Sequence, residues 1–184
     1  MSSKGSLLAN PAPLGLMGFG MTTIILNLAN MGLFGINSMI LAMGIFYGGL
    51  AQIVAGMMEF RKGNTFGTLA FTSYGFFWLT LVFIIMFGNE RPLFAPDKTA
   101  WAAYLFLWGL FTAMMFFGTL KANRALQTVF LSLAILFFLL AAAQAMPQLG
   151  VVAGIEGVIC GFSAFYLSIA EVLNETYHRT VLPI

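Results

Sequence analysis

LGVVAGIEGVICGFSAFYLSIAEV, residues 149–172, decides the class of fold. It is long enough to cross a bilayer, whose hydrocarbon core takes about 20 apolar residues per helix. Its small residues Gly150, Gly154, Gly157, Gly161, Ala164 and Ser168 step by 4, 3, 4, 3 and 4. That spacing keeps them on one helical face. Lipid gives helices no hydrophobic reason to associate, so contact depends on backbones approaching closely, which small residues permit. The seam therefore predicts a helix with a second helix, or a narrow passage, laid against it.

The rest of the chain reads the same way. Of 184 residues, 60% are hydrophobic and 8% charged, against about 25% charged in a soluble domain. Mean hydropathy is +0.95. Such a chain cannot clothe itself in a water-soluble surface. No charged leader with a short apolar core and a small-residue cleavage site is expected. The net charge of +2 is too small to argue for nucleic acid. Cys160 is the sole cysteine and forms no intrachain disulfide.

Six apolar segments are expected to span, at about 14–31, 38–58, 66–87, 100–120, 125–145 and 149–172. MGLFGIN, EFRKGN, GNERPLFAPDKT, LKANR and AMPQLG separate them, too short for a soluble domain. The expectation is an all-α membrane protein, a six-transmembrane-helix bundle, with residues 1–184 as one transmembrane domain. Every backbone polar group in lipid must be satisfied, which favours helices where strand-like alternation is absent. With the N-terminus in the cytoplasm, Lys4, Arg61, Lys62, Lys121, Arg124 and Arg179 fall inside and Arg91 and Lys98 outside. Six against two places both termini in the cytoplasm.

The second span carries a shorter small-residue edge, Gly44, Gly48, Ala51 and Ala55, flanked by Gln52 and Glu59. Gln52 facing lipid would be costly, so it should point inward. Thr23, Asn27 and Asn30 share a side with Phe19 on the first span; Phe71, Tyr74 and Trp78 form a stripe on the third; Thr128 and Ser132 follow Arg124 on the fifth. These groups read either as interhelical glue or as the lining of a passage bearing hydroxyls and amides but no fixed cation. Glu156 points away from the seam, and Glu171 continues the seam into water at the cytoplasmic end. No cluster of histidine, cysteine and carboxylate at metal spacing, nucleophile with a base, or phosphate loop is evident. The reading is not an enzyme, with no metal or cofactor.

NPAPLGLMGFGMTT, residues 10–23, opens the first span. The first N–H groups of a helix lack internal partners, so proline there loses nothing. Asn10 is the expected N-cap and Pro11 the expected first helical residue. Gly15, Gly18 and Gly20 then let the helix sit close to its neighbours.

The heptapeptide Asn10, Pro11, Ala12, Pro13, Leu14, Gly15, Leu16 resembles the signature of the acetate uptake transporter family, which includes the bacterial succinate–acetate permeases. ILAMGIFYGGLAQIVAG (40–56), KGNTFGTLAFTSYGFFWLTL (62–81), MFFGTLKANRALQ (115–127) and EVLNETYHRTVLPI (171–184) are similar to that family too. The resemblance implies six membrane helices and a homohexamer in the bacterial inner membrane, each protomer with its own pathway. It implies a hydrophobic constriction at the matching positions Phe19, Tyr74 and Leu133, and Ala164 as another lining position. Thr22, Thr23, Asn27 and Ser132 are candidate lining groups on either side. The implied function is transport of acetate, and less readily succinate, as the neutral acid or as the anion with a proton. A channel for another small solute such as urea or ammonia, or a scaffold without a substrate, are the alternatives.

Overall fold

The computed structural model describes residues 8–90 and 95–184; Lys4 and Arg91 of the charge count lie outside the described residues. Among the described residues six helices are long and apolar enough to cross a membrane: α1 Ala12–Asn30, α2 Ser38–Arg61, α3 Thr65–Glu90, α4 Lys98–Thr119, α5 Arg124–Ala143 and α6 Leu149–Thr176. The chain is an all-α, multi-pass membrane protein. No strand occurs among the described residues.

Side-chain caps set four of the starts. Asn37, Asn64, Asp97 and Asn123 accept from the first-turn N–H groups of α2, α3, α4 and α5 through their Oδ1 atoms. The start of α1 departs from expectation. Pro11, not Asn10, occupies the N-cap position, and the helix begins at Ala12. Pro13 is the second helical residue and has no N–H, so one usual target of a cap is missing. Asn10 Oδ1 instead accepts from Ala12 N at 3.2 Å, and its amide is free to reach another helix.

The glycine seam of α6 packs on α1. A Cβ on Gly161 would stand 2.8 Å from the Gly20 carbonyl oxygen, and one on Gly20 would stand 2.8 Å from the Gly161 oxygen. Gly157 is pressed against the Asn27 amide, and Gly154 against Met31. Further along, Ser168 Oγ donates to the Pro13 carbonyl at 2.7 Å. Gly150 was expected on this seam and is not: nothing lies within 4 Å of its Cβ position. It sits in the first turn of α6, beyond the end of α1.

From this pair the bundle extends both ways, through α5 to α4 on one side and through α2 to α3 on the other. Rings join α3 to α4 and α5. Tyr74 lies 6.1 Å from Trp108 and 6.1 Å from Phe130, and Phe77 lies 5.1 Å from Phe137 between ring centres. Within α2, Met43–Ala51 is a nine-residue π-helical segment. Such insertions are rare and concentrate at functional positions. Gly44 and Gly48 of this segment lie against Trp78. Gln52 is buried as expected and donates to the Gly48 carbonyl at 2.7 Å.

Candidate transport site

A cavity of about 240 Å³ lies between α1, α2, α3, α5 and α6. Its buried end is apolar. Phe19, Tyr74 and Leu133 all line it and are each less than a tenth exposed. Phe19 and Tyr74 face each other with ring centres 6.2 Å apart. The Tyr74 hydroxyl is turned out of play: it donates to Thr112 Oγ1 at 2.9 Å, and Thr112 donates on to the Trp108 carbonyl at 2.7 Å. The three residues that the resemblance brought together from α1, α3 and α5 thus line one cavity.

The opposite end is polar and holds charge. Glu59 is 1% exposed, and Asn64 Nδ2 donates to its Oε2 at 2.7 Å. Lys62 Nζ stands 3.9 Å from Glu59 Oε1, with a side chain 25% exposed. The same ammonium donates to Asn10 Oδ1 at 3.3 Å, and Asn10 Nδ2 donates to Glu171 Oε2 at 3.0 Å. All five of these residues line the cavity, with Gln52 between them and the rings. The residue types of the spans imply a passage without a fixed cation; Lys62 corrects that for this end. Glu171, placed in water by its position at the end of the seam, is instead half-buried and held by Asn10, just ahead of the first helix. Chain distance hid the set: Asn10 and Glu171 are 161 residues apart. One local signal was available, the Glu59–Lys62 pair at i,i+3 at the end of an apolar helix.

The other candidate lining groups are buried but do not line this cavity. Thr22 Oγ1 reaches the Met43 carbonyl at 3.4 Å, at the start of the π-helical segment. Asn27 Nδ2 donates to the Thr23 carbonyl at 2.9 Å and Ser132 Oγ to the Thr128 carbonyl at 2.8 Å, each within its own helix. Ala164 is fully buried in the α1–α6 seam. Thr23 Oγ1 and Trp78 Nε1 are buried without a hydrogen-bond partner.

Fold and cavity define a multi-pass helical membrane protein that holds a solute-sized space between a charged end and a ring of carbon. The chain belongs to the GPR1/FUN34/yaaH family, whose pattern matches residues 2–184. It is 60% identical over 179 residues to the succinate-acetate/proton symporter SatP of Escherichia coli strain K12, covering 96% of this chain and 95% of that protein. Acetate permease A of Emericella nidulans is 33% identical over 195 residues, 96% of this chain and 65% of the permease. The solved structure of the bacterial acetate channel SatP superposes with a TM-score of 0.93 at 60% identity, over 96% of this chain and 99% of that one.

Proposed function

We propose that this chain is a transporter or channel for acetate and, less readily, succinate, moving the neutral acid or the anion together with a proton. It is read as a single transmembrane domain, a transporter and not an enzyme, set in a bacterial inner membrane with both termini in the cytoplasm. One observation carries the reading: a cavity that offers charge and amides at one end closes on Phe19, Tyr74 and Leu133 at the other. Under the proposed orientation the polar end faces the cytoplasm.

Energetics select the form that passes the rings. Moving a bare carboxylate into an apolar surrounding costs tens of kcal/mol in the idealised limit. Protonating it first, for a carboxyl pKa of about 4.3 at pH 7, costs roughly 3–4 kcal/mol. No cation stands at the ring, and the Tyr74 hydroxyl already donates to Thr112. The neutral acid is the cheaper traveller.

Thr22, Thr23, Asn27, Ser132 and Ala164 are assigned to the pathway beyond the constriction. Support comes from Thr23 Oγ1, whose burial without a partner costs on the order of 1–3 kcal/mol, relieved by a passing carboxyl group. The homohexamer is also proposed, on the family resemblance and on the outer faces of the bundle. There Phe46, Leu107, Met114, Phe117 and Phe162 stand exposed, available to lipid or to a second copy.

Labelled-acetate influx into proteoliposomes, corrected for protein-free vesicles at fixed total acetate, tests the reading. Influx is expected to rise as external pH falls. Influx that rises with pH overturns the neutral-acid route.

A further inference from the structure

We propose that Glu171 is the group that takes the substrate's proton at the polar end of the cavity, while Lys62 and Asn10 hold the carboxylate left behind. This rests on the proton-linked transport reading above and adds to it the residues that perform the exchange.

Two carboxylates line that end, and their surroundings differ. Glu59 is fully engaged: Asn64 donates to one oxygen at 2.7 Å, and Lys62 faces the other at 3.9 Å. Among the described residues a single hydrogen bond holds Glu171, donated by Asn10 Nδ2 at 3.0 Å. The charged groups near enough to act on Glu171 are Glu59 on α2, Lys62 just past its end, and Glu175 on its own helix. From α1 and α5 the cavity receives Leu16, Phe19, Leu126 and Phe130, which carry no charge. One cation thus stands among three carboxylates. A fourth, arriving as an anion, meets a net negative surround. Arriving as the neutral acid, it meets an acceptor.

The exchange balances without any other reactant. The substrate O–H bond breaks and an O–H bond forms on Glu171, so RCOOH and a carboxylate become RCOO⁻ and a carboxylic acid. A protonated Glu171 is a weaker acceptor, because hydrogen bonds to an ionised oxygen are the stronger kind. The Asn10 amide is then released to the new substrate anion beside Lys62 Nζ, which already touches Asn10 at 3.3 Å. Departure of the anion into water and loss of the proton from Glu171 restore the starting state. Asn10 belongs to the opening heptapeptide, and this gives its side chain a task that helix capping does not.

Two measurements on the purified full-length protein test the assignment, with acetate as the probe. In proteoliposomes, wild-type acetate influx is expected to ignore an imposed membrane potential, since no net charge crosses. Glu171→Gln should slow that influx several-fold, since the neutral acid that has passed the rings no longer meets an acceptor. In detergent, a pH-sensitive dye should record close to one proton taken up per acetate bound by the wild type and none by Glu171→Gln. Lys62→Gln, at a partly exposed position, should keep the proton uptake and weaken acetate binding roughly tenfold, the worth of one charge-assisted hydrogen bond. A Glu171→Gln protein with unchanged influx and unchanged proton uptake overturns the assignment of Glu171 alone. Unchanged acetate affinity in Lys62→Gln overturns the holding site, and does so even if Glu171→Gln does not fold. Wild-type influx that follows the potential overturns the proton-linked reading itself, and the proposal with it.

Discussion

The wall made by α1 and α6 and the wall made by α3 and α5, backed by the rings of α4, border one cavity by opposite means. The first is built by leaving side chains out. Gly20, Gly154, Gly157 and Gly161 bring two backbones into direct contact, and the wall is thin and rigid. The second is built by filling space with rings, where Tyr74, Phe77, Trp108, Phe130 and Phe137 meet mostly edge to face or tilted, with Trp108 and Phe137 stacked. Packing in the first wall depends on atoms that cannot move without moving a helix. Rings in the second are set by side-chain torsions, not by the helix axes. Phe19 is the exception that joins them, a ring projecting from the thin wall toward Tyr74 of the thick one. The proposed constriction lies between an edge set by backbones and one set by side chains, a pairing that suits selection with passage.

The comparison breaks most sharply at Gly161. A side chain there must displace the Gly20 carbonyl, at 2.8 Å from the Cβ position, so Gly161→Leu should exceed the ~1–3 kcal/mol typical of overpacking. The expected result is loss of folded protein after detergent extraction, read by fluorescence-detected size exclusion. Phe162→Leu, next in sequence but on an exposed position, should extract normally. Equal recovery of the two variants would mean the thin wall is not rigid.

Second in size is removal of the ring that spans the gap. Phe19→Ala leaves the glycine contacts alone and takes away one face of the constriction. Truncating a buried phenylalanine costs about 3–5 kcal/mol of stability, and influx of acids larger than acetate should rise several-fold relative to acetate. A ratio of lactate to acetate influx identical to wild type would remove Phe19 from the pathway.

How much of this was legible follows the same division. All six helices could be read from length and apolarity, and each observed boundary lies within a few residues of its expected place. The thin wall was legible too, because a small-residue seam is local to one helix; only Gly150, past the end of its partner, was misplaced. Gln52 could be turned inward because lipid would penalise it. The start of α1 was misread by one residue, since the consequence of a second proline at position 13 depends on which N–H groups remain to be capped. The π-helical segment at Met43–Ala51 left no periodic signature that its glycines alone would reveal. The Asn10–Lys62–Glu59–Glu171 set was hidden for a different reason. Each member looks like an ordinary polar residue near a helix end, and only the meeting of α1, α2 and α6 makes them neighbours.

Smaller effects are expected where one wall is trimmed without being opened. Leu133→Ala enlarges the thick-wall side, and Ala164→Ser adds an oxygen to the thin one; both are buried. Each should change the preference among short monocarboxylates, with Leu133→Ala admitting lactate more readily at a stability cost of about 2–5 kcal/mol. Measured as competing influx of acetate and lactate, unchanged relative rates in both variants would count against these two positions as parts of the pathway.

The smallest expected effect separates the shape of the constriction from its polarity. Tyr74→Phe keeps the ring against Phe19 and removes only the hydroxyl. Thr112 Oγ1 loses a donor but still donates to the Trp108 carbonyl at 2.7 Å, so no buried donor is orphaned. The stability cost should stay near ~1 kcal/mol, the net worth of one neutral hydrogen bond. If the ring acts by excluding water and charge, acetate influx and its rise toward low pH should survive this change almost intact. Collapse of influx in Tyr74→Phe, with normal folding, would show that the hydroxyl leaves Thr112 to serve the substrate, and that the neck is a polar site as well as a steric one.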